Sequence, residues 1–202
     1  MSLRLSTTLR MFLRCHLARL PVCSAPVITL LFVCVSLGGF TSAQAPSNVY
    51  AVKAAFIFHF AQLVDWPPDV LNSDRTLTFC VQGESTYVSS LTAVVQAKQI
   101  ASHSIQVREV KEQDDLRSCH VLFISGADQR PILGLLARVR DLPILTIGET
   151  EDFTRRGGII GLRIEENKVR FDINLDAAQH VDLRISSRLL LLAKNVIGGK
   201  AG

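Results

Sequence analysis

Hydrophobic positions along the chain change their period several times, and each period predicts an element. In residues 47–64, Tyr50, Ala54, Ile57, Ala61 and Val64 recur every three to four residues, the period of a helix. Phe56, Phe58 and Phe60 fill the other sides, so this helix is expected to be buried on more than one face. Ser47 or Asn48 suits its N-cap. Asp65-Trp66-Pro67-Pro68 is expected to end it, because a residue before proline is pushed out of the helical region.

Strand-like and helix-like stretches then alternate. Residues 76–81 are β-rich, 85–97 helical, and 104–110 alternate as a strand, while 114–118 read as a short polar helix or turn. Residues 120–125 (HVLFIS) are almost unbroken in apolarity, as a central strand buried on both faces requires. Residues 129–140 place Ile132, Leu135, Leu136 and Val139 on one helical face, and 143–147 form another apolar strand. After Gly157-Gly158, residues 159–164 and 168–174 flank a turn at Glu166-Asn167. The second arm sets Val169, Phe171 and Ile173 against Lys168, Arg170 and Asp172, which predicts a hairpin with one wet face. Asn174 suits the cap of a helix over 175–180. A last helix over 186–196, with its apolar run 189–193, is expected to pack in the core and to stop at Gly198-Gly199. The order predicts an α/β domain: a three-layer, mainly parallel sheet of flavodoxin- or Rossmann-like design, with a C-terminal β-hairpin and closing helices.

Residues 1–45 follow none of these patterns. They hold Arg4, Arg10, Arg14 and Arg19, no acidic residue, an apolar run over 25–40 and small residues at 41–45. This is the make-up of a secretory signal peptide, with cleavage after Ala43 or Ala45. An uncleaved N-terminal membrane anchor is the alternative, although about 16 residues fall short of the roughly 20 that a spanning helix needs. Residues 46–202 are expected to form a single domain.

Separating the leader changes the charge picture. The whole chain carries 22 Lys+Arg against 18 Asp+Glu. Without the four leader arginines the balance is 18 to 18, which removes the electrostatic footing for nucleic-acid binding. Of five cysteines, Cys15, Cys23 and Cys34 lie in the leader, leaving Cys80 and Cys119. In an oxidising compartment these read as a disulfide, with two buried thiols as the alternative. If strands 76–81 and 120–125 are parallel neighbours, the bridge needs a bulge or offset or is strained and reducible, because Cys80 lies late in one and Cys119 at the start of the other.

Candidate chemistry is sparse. No nucleophile-elbow, zinc-protease, phosphate-loop or dinucleotide motif occurs, and the histidines lack metal-ligand spacing, so no enzyme and no cofactor is expected. Gly157-Gly158 reads as a tight turn needing positive φ before a strand. Arg155-Arg156 reads as an exposed charged turn or as a grip for an anion. Trp66, the only tryptophan, reads as a core plug or as a binding platform.

Six blocks carry a resemblance: YAVKAAFIFHFAQLVDWPP (50–68), LTFCVQGES (77–85), CHVLFIS (119–125), LPILTIGETEDFTRRGGIIGL (142–162), NKVRFDINL (167–175) and LRISSRLLLLAKNV (183–196). Together they resemble the YfiR-like family of periplasmic proteins. The resemblance implies a repressor that binds the periplasmic domain of an inner-membrane diguanylate cyclase or another sensor, lowering cyclic-di-GMP and biofilm output. It also implies a homodimer, sequestration by an OmpA-like lipoprotein, and a redox-linked pairing of Cys80 with Cys119. A second cysteine pair found in some members has no counterpart in this chain. The alternative function is a periplasmic small-molecule binding or sensor protein, with Trp66, Arg155, Gly157 and Gly158 near the mouth of a pocket. A large exposed apolar patch favours the first function and a pocket of several hundred Å³ with convergent polar groups the second.

Overall fold

Eight strands assemble into one sheet, in a computed structural model that describes residues 47–73, 76–126 and 129–199. The leader read at 1–45 lies outside the described residues, as do the side chains of Ser47 and Asn48. In chain order the elements begin with α1 (Ser47–Gln62), β1 (Val64–Asp65), α2 (Pro68–Ser73), β2 (Thr76–Gln82) and α3 (Ser85–Val95). Next come β3 (Gln99–Ile100), β4 (His103–Glu109), β5 (Val121–Ile124), α4 (Gln129–Val139) and β6 (Leu145–Gly148). The chain closes with β7 (Ile160–Glu165), β8 (Lys168–Asn174), α5 (Leu175–His180), β9 (Arg184–Ile185), α6 (Ser187–Leu192) and β10 (Asn195–Ile197).

The sheet order is β10-β8-β7-β6-β5-β2-β4-β3. Strands β4, β2, β5, β6 and β7 are mutually parallel, so β2 lies between its two successors as in flavodoxin-like sheets. Alternation along each strand then divides the core. Phe79, Phe123, Ile147 and Ile160 pack with Ile57, Phe60 and Leu91 of α1 and α3. Leu122 and Ile124 pack with Ile132, Leu135 and Val139 of α4 on the other face. This is the three-layer α/β architecture that the sequence pattern predicts.

The β7–β8 hairpin turns at Glu166 (φ +50°) and Asn167 (φ +59°), the two positive φ values that a type I′ turn needs. Asn174 caps α5 by accepting a hydrogen bond from the Ala177 N–H at 2.9 Å.

The structure narrows or corrects four expectations. First, α1 stops at Gln62, ahead of the Trp-Pro-Pro run. Val64 and Asp65 pair antiparallel with Ile185 and Arg184, and that pairing takes the backbone out of the helix before the prolines act. Second, of the two readings of 114–118, helix or turn, the turn is the one formed, with Arg117 N–H donating to the Asp115 side chain at 3.0 Å. Third, the C-terminal helix is not a core helix: α6 is six residues long and buries only Leu189. Leu191 and Leu192 are 85% and 70% exposed. Beyond Ala193 the backbone is extended, and Lys194 N–H donates to the Phe171 carbonyl as the chain joins β8 as a parallel edge strand. An open sheet edge outweighs the helical preference of the leucine run here.

Fourth, the polar face of β8 is not uniformly wet, because Asp172 is 8% exposed. Arg163 of β7 reaches both Asp172 and Glu165 at 2.5 Å, and Lys194 reaches Glu165 at 2.6 Å. Hydrogen bonds from Arg163 and then Lys194 hold the Glu165 carboxyl down from 4.5 to about 2. A depressed folded pKa means that this stabilisation is complete above pH 4.5 and is lost as pH falls toward 2. The thermal midpoint of Glu165→Gln is therefore expected to fall below the parent's at neutral pH and to converge with it near pH 2. A constant gap across an acid titration would reject the assignment.

Candidate functional site

Cys80 sits mid-sheet on the α4 face, opposite Leu122 in the β2–β5 register. Continued straight, β5 would carry Cys119 three residues away, roughly 10 Å at 3.3 Å per residue. The crossover from β4 instead folds at 116–119, where Cys119 N–H donates to the Leu116 carbonyl, and returns Cys119 over β2. The two Cα atoms stand 5.8 Å apart and the sulfurs are bonded. The bridge is buried among Val110, Leu116 and Leu122. Arg108 of β4 covers it, with a guanidinium nitrogen 3.7 Å from Cys80 Sγ, 3.5 Å from Cys119 Sγ and 3.0 Å from Ser118 Oγ.

In sheets of this order ligands usually occupy the crevice at the carboxyl ends of the strands. Here side chains of the protein itself fill that place. Tyr50 and Lys53 reach down from α1 to meet Glu84 beyond β2, Tyr87 of α3 and Glu149 beyond β6. Tyr50 donates to Glu84 at 2.7 Å, Tyr87 donates to Glu149 at 2.6 Å, and Lys53 pairs with Glu149. Burial first, and the Glu149 hydrogen bond second, push the Tyr87 hydroxyl far above its ordinary value, so it stays a donor. The Glu84 hydrogen bond also raises the Tyr50 hydroxyl above its ordinary value. Beneath them Gly83 meets Ser125 so closely that a Cβ there would lie 2.6 Å from the Ser125 carbonyl oxygen.

The open concavity lies on the α4 face instead. Residues 151–157 form consecutive turns closed by a Schellman motif, in which Gly158 N–H donates to the Phe153 carbonyl and Gly157 N–H to the Thr154 carbonyl. Gly157 supplies φ +98°, as the glycine-pair reading expects. Gly158 has a different reason: its backbone lies against the Phe153 ring, 2.1 Å from where a Cβ would be. Phe153 is fully buried and anchors the turn that presents Arg155 and Arg156, both near Asp152 at 3.7 and 3.9 Å. Between this turn, α4 and α5 lies a groove of about 620 Å³. Its lining includes Leu136, Ile144, Ile159, Arg140, Arg155 and His180.

The predicted site residues therefore separate. Arg155 and Gly157 line the groove, whereas Gly158 is buried beneath it. Trp66 is 6% exposed and packs in the core on the opposite face. Its edge borders another depression, with Pro67, Pro68, Leu183 and Arg184. One pocket mouth shared by Trp66 and the glycine pair is thus not formed. Arg140 and His180 escaped sequence reasoning because no local pattern marks them; only the packing of α4 beside α5 makes them neighbours of Arg155. Leu191 and Leu192 belong to the run that reads as core, and helical periodicity cannot show that the helix stops after six residues.

The fold and the buried bridge define a disulfide-stapled α/β domain of flavodoxin-like strand order. Residues 50–194 match the YfiR/HmsC-like family model, and the chain belongs to that family. Among solved structures it is similar to a conserved domain protein from Vibrio cholerae O1 biovar El Tor, at 13% identity and TM-score 0.48. It is also similar to an ABC domain in complex with L-Trp from Streptococcus pneumonia, at 11% identity and TM-score 0.51. Each match covers 71% of this chain and 60% of the other, so the chain spans less than two thirds of either length. At 11% identity the likeness to the second is one of fold alone.

Proposed function

We propose that this protein is a non-catalytic periplasmic regulator that binds and represses the periplasmic domain of an inner-membrane diguanylate cyclase. The observation that carries the reading is the family match across 145 residues, 50–194. The basic, apolar leader supplies the route to the periplasm. Repression works as a population shift: the regulator holds the cyclase inactive only by binding that state more tightly than the active one. A homodimer is the working assembly, and an OmpA-like lipoprotein is the partner that would draw the regulator away.

We assign the cyclase contact to Leu191 and Leu192, the two most exposed large apolar side chains among the described residues. Exposed leucines have little folding role and gain by being covered. Deleting the gene is expected to raise cyclic-di-GMP. Leu191→Ser/Leu192→Ser is expected to raise it equally while leaving the melting temperature within about 2 °C, since exposed substitutions usually change stability by less than roughly 0.5 kcal/mol. Crosslinking in the periplasm identifies what the parent holds and the variant loses. Unchanged cyclic-di-GMP on deletion across growth conditions overturns the function. A variant that still represses overturns the contact alone.

A further inference from the structure

The groove between α4, α5 and the 151–157 turn has chemistry that the regulator reading does not use. Its floor is apolar, formed by Leu136, Val139, Ile144 and Ile159. Its rim bears three arginines: Arg155 and Arg156 stand 3.7 and 3.9 Å from Asp152, and with Arg140 they line the groove alongside one carboxylate, Asp176. That carboxylate is already engaged, accepting the Gly199 N–H at 3.0 Å. His180, also on the rim, is held by Asp141 at 2.7 Å. A volume of about 620 Å³ lies within the usual range of small-molecule sites, roughly 300–1,000 Å³. The Schellman turn and its Phe153 anchor hold the Arg155 backbone, so one wall of the groove is set before any ligand arrives.

We propose that this groove binds a small amphipathic organic anion, a carboxylate, sulfonate or phosphate carried on a ring or short acyl chain. The apolar body covers Leu136, Ile144 and Ile159, and the anionic head meets the arginines of the rim. Guanidinium groups suit this head because each offers several N–H donors in one plane to two oxygens at once. Such a site would give the protein a chemical input separate from its protein partner. It goes beyond the cyclase reading and does not rest on it.

The test uses 1-anilinonaphthalene-8-sulfonate, a fluorescent anion with an apolar ring system, titrated into the purified parent. Saturable binding of one probe per chain is expected, displaced by octanoate but not by octyltrimethylammonium. Arg140→Ala/Arg155→Ala is expected to weaken it at least tenfold with an unchanged melting temperature, since both side chains are exposed. Leu191→Ser/Leu192→Ser is expected to leave it intact. The proposal is overturned if no saturable site appears, if the arginine variant binds as the parent does, or if the cation competes as well as octanoate. Loss of binding in the leucine variant also overturns it, because the probe would then be reporting the exposed leucines. None of these outcomes depends on whether the protein represses a cyclase.

Discussion

Phe153→Ala is expected to lower the stability of the folded protein by about 3–5 kcal/mol, the usual range for removing a fully buried phenylalanine. The ring is completely buried in the α4-side core. Its two edges are flanked by glycines: a Cβ at Gly148, at the end of β6, would come within 2.2 Å of Cδ2, and one at Gly158 within 2.1 Å of Cε1. Neither glycine has a positive φ, so the backbone at both would accept alanine. Their absent side chains make the slot that the ring occupies. Gly158→Ala is therefore expected to destabilise as well, through overpacking rather than through backbone strain. The two substitutions should not add. In the double variant the new methyl enters space that the ring has vacated, and a coupling of about 1–3 kcal/mol is expected from a denaturant-melt cycle. Strict additivity would show that the ring and Gly158 are not in contact. Since Phe153 anchors the turn bearing Arg155, the single variant should also weaken the anion groove, a link that the same probe measures.

Breaking the Cys80–Cys119 bridge is the second large effect. The bond closes a loop with a sequence separation of 39 residues. In the chain-entropy account such a loop contributes about 3–4 kcal/mol by restricting the unfolded chain. Cys80→Ala/Cys119→Ala is expected to lose about that much, read as a lower denaturant midpoint with little loss of native secondary structure. Reduction of the parent should approach the same value. Because Cys80 is 0% and Cys119 3% exposed, with Arg108 laid over the sulfurs, thiol reagents should reach the bond slowly until denaturant opens the core. Mass mapping without reduction is expected to find one peptide joining Cys80 to Cys119. Two thiols that alkylate readily in the folded protein would overturn the pairing, and with it any redox input through this bond.

Much of the architecture is local information. The strands β2, β4, β5, β6, β7 and β8, the helices α1, α3, α4 and α5, the Glu166-Asn167 turn and the Asn174 cap each follow from a few consecutive residues. A period of two or of 3.6 is written into side chains that are neighbours along the chain, and so is a cap or a turn. The cysteine pair was legible for a related reason: only Cys80 and Cys119 lie beyond residue 45.

What the sequence could not determine are the features made by residues far apart. The β1–β9 pair joins positions more than a hundred residues distant, and it ends α1 earlier than the Trp-Pro-Pro run would. The leucine run after Ser186 looks like a core helix until the free edge of β8 draws Asn195–Ile197 into the sheet and leaves Leu191 and Leu192 in water. Arg140 meets Arg155 only because the fold brings α4, α5 and the 151–157 turn to the walls of one groove. Local propensities differ by fractions of a kcal/mol per residue, so pairing an open strand or burying a ring outweighs them. The sequence by itself determined most of the strands and helices and placed only two cysteines beyond residue 45. The tertiary structure alone decided which edges close, which leucines stay exposed and which arginines come to line one groove.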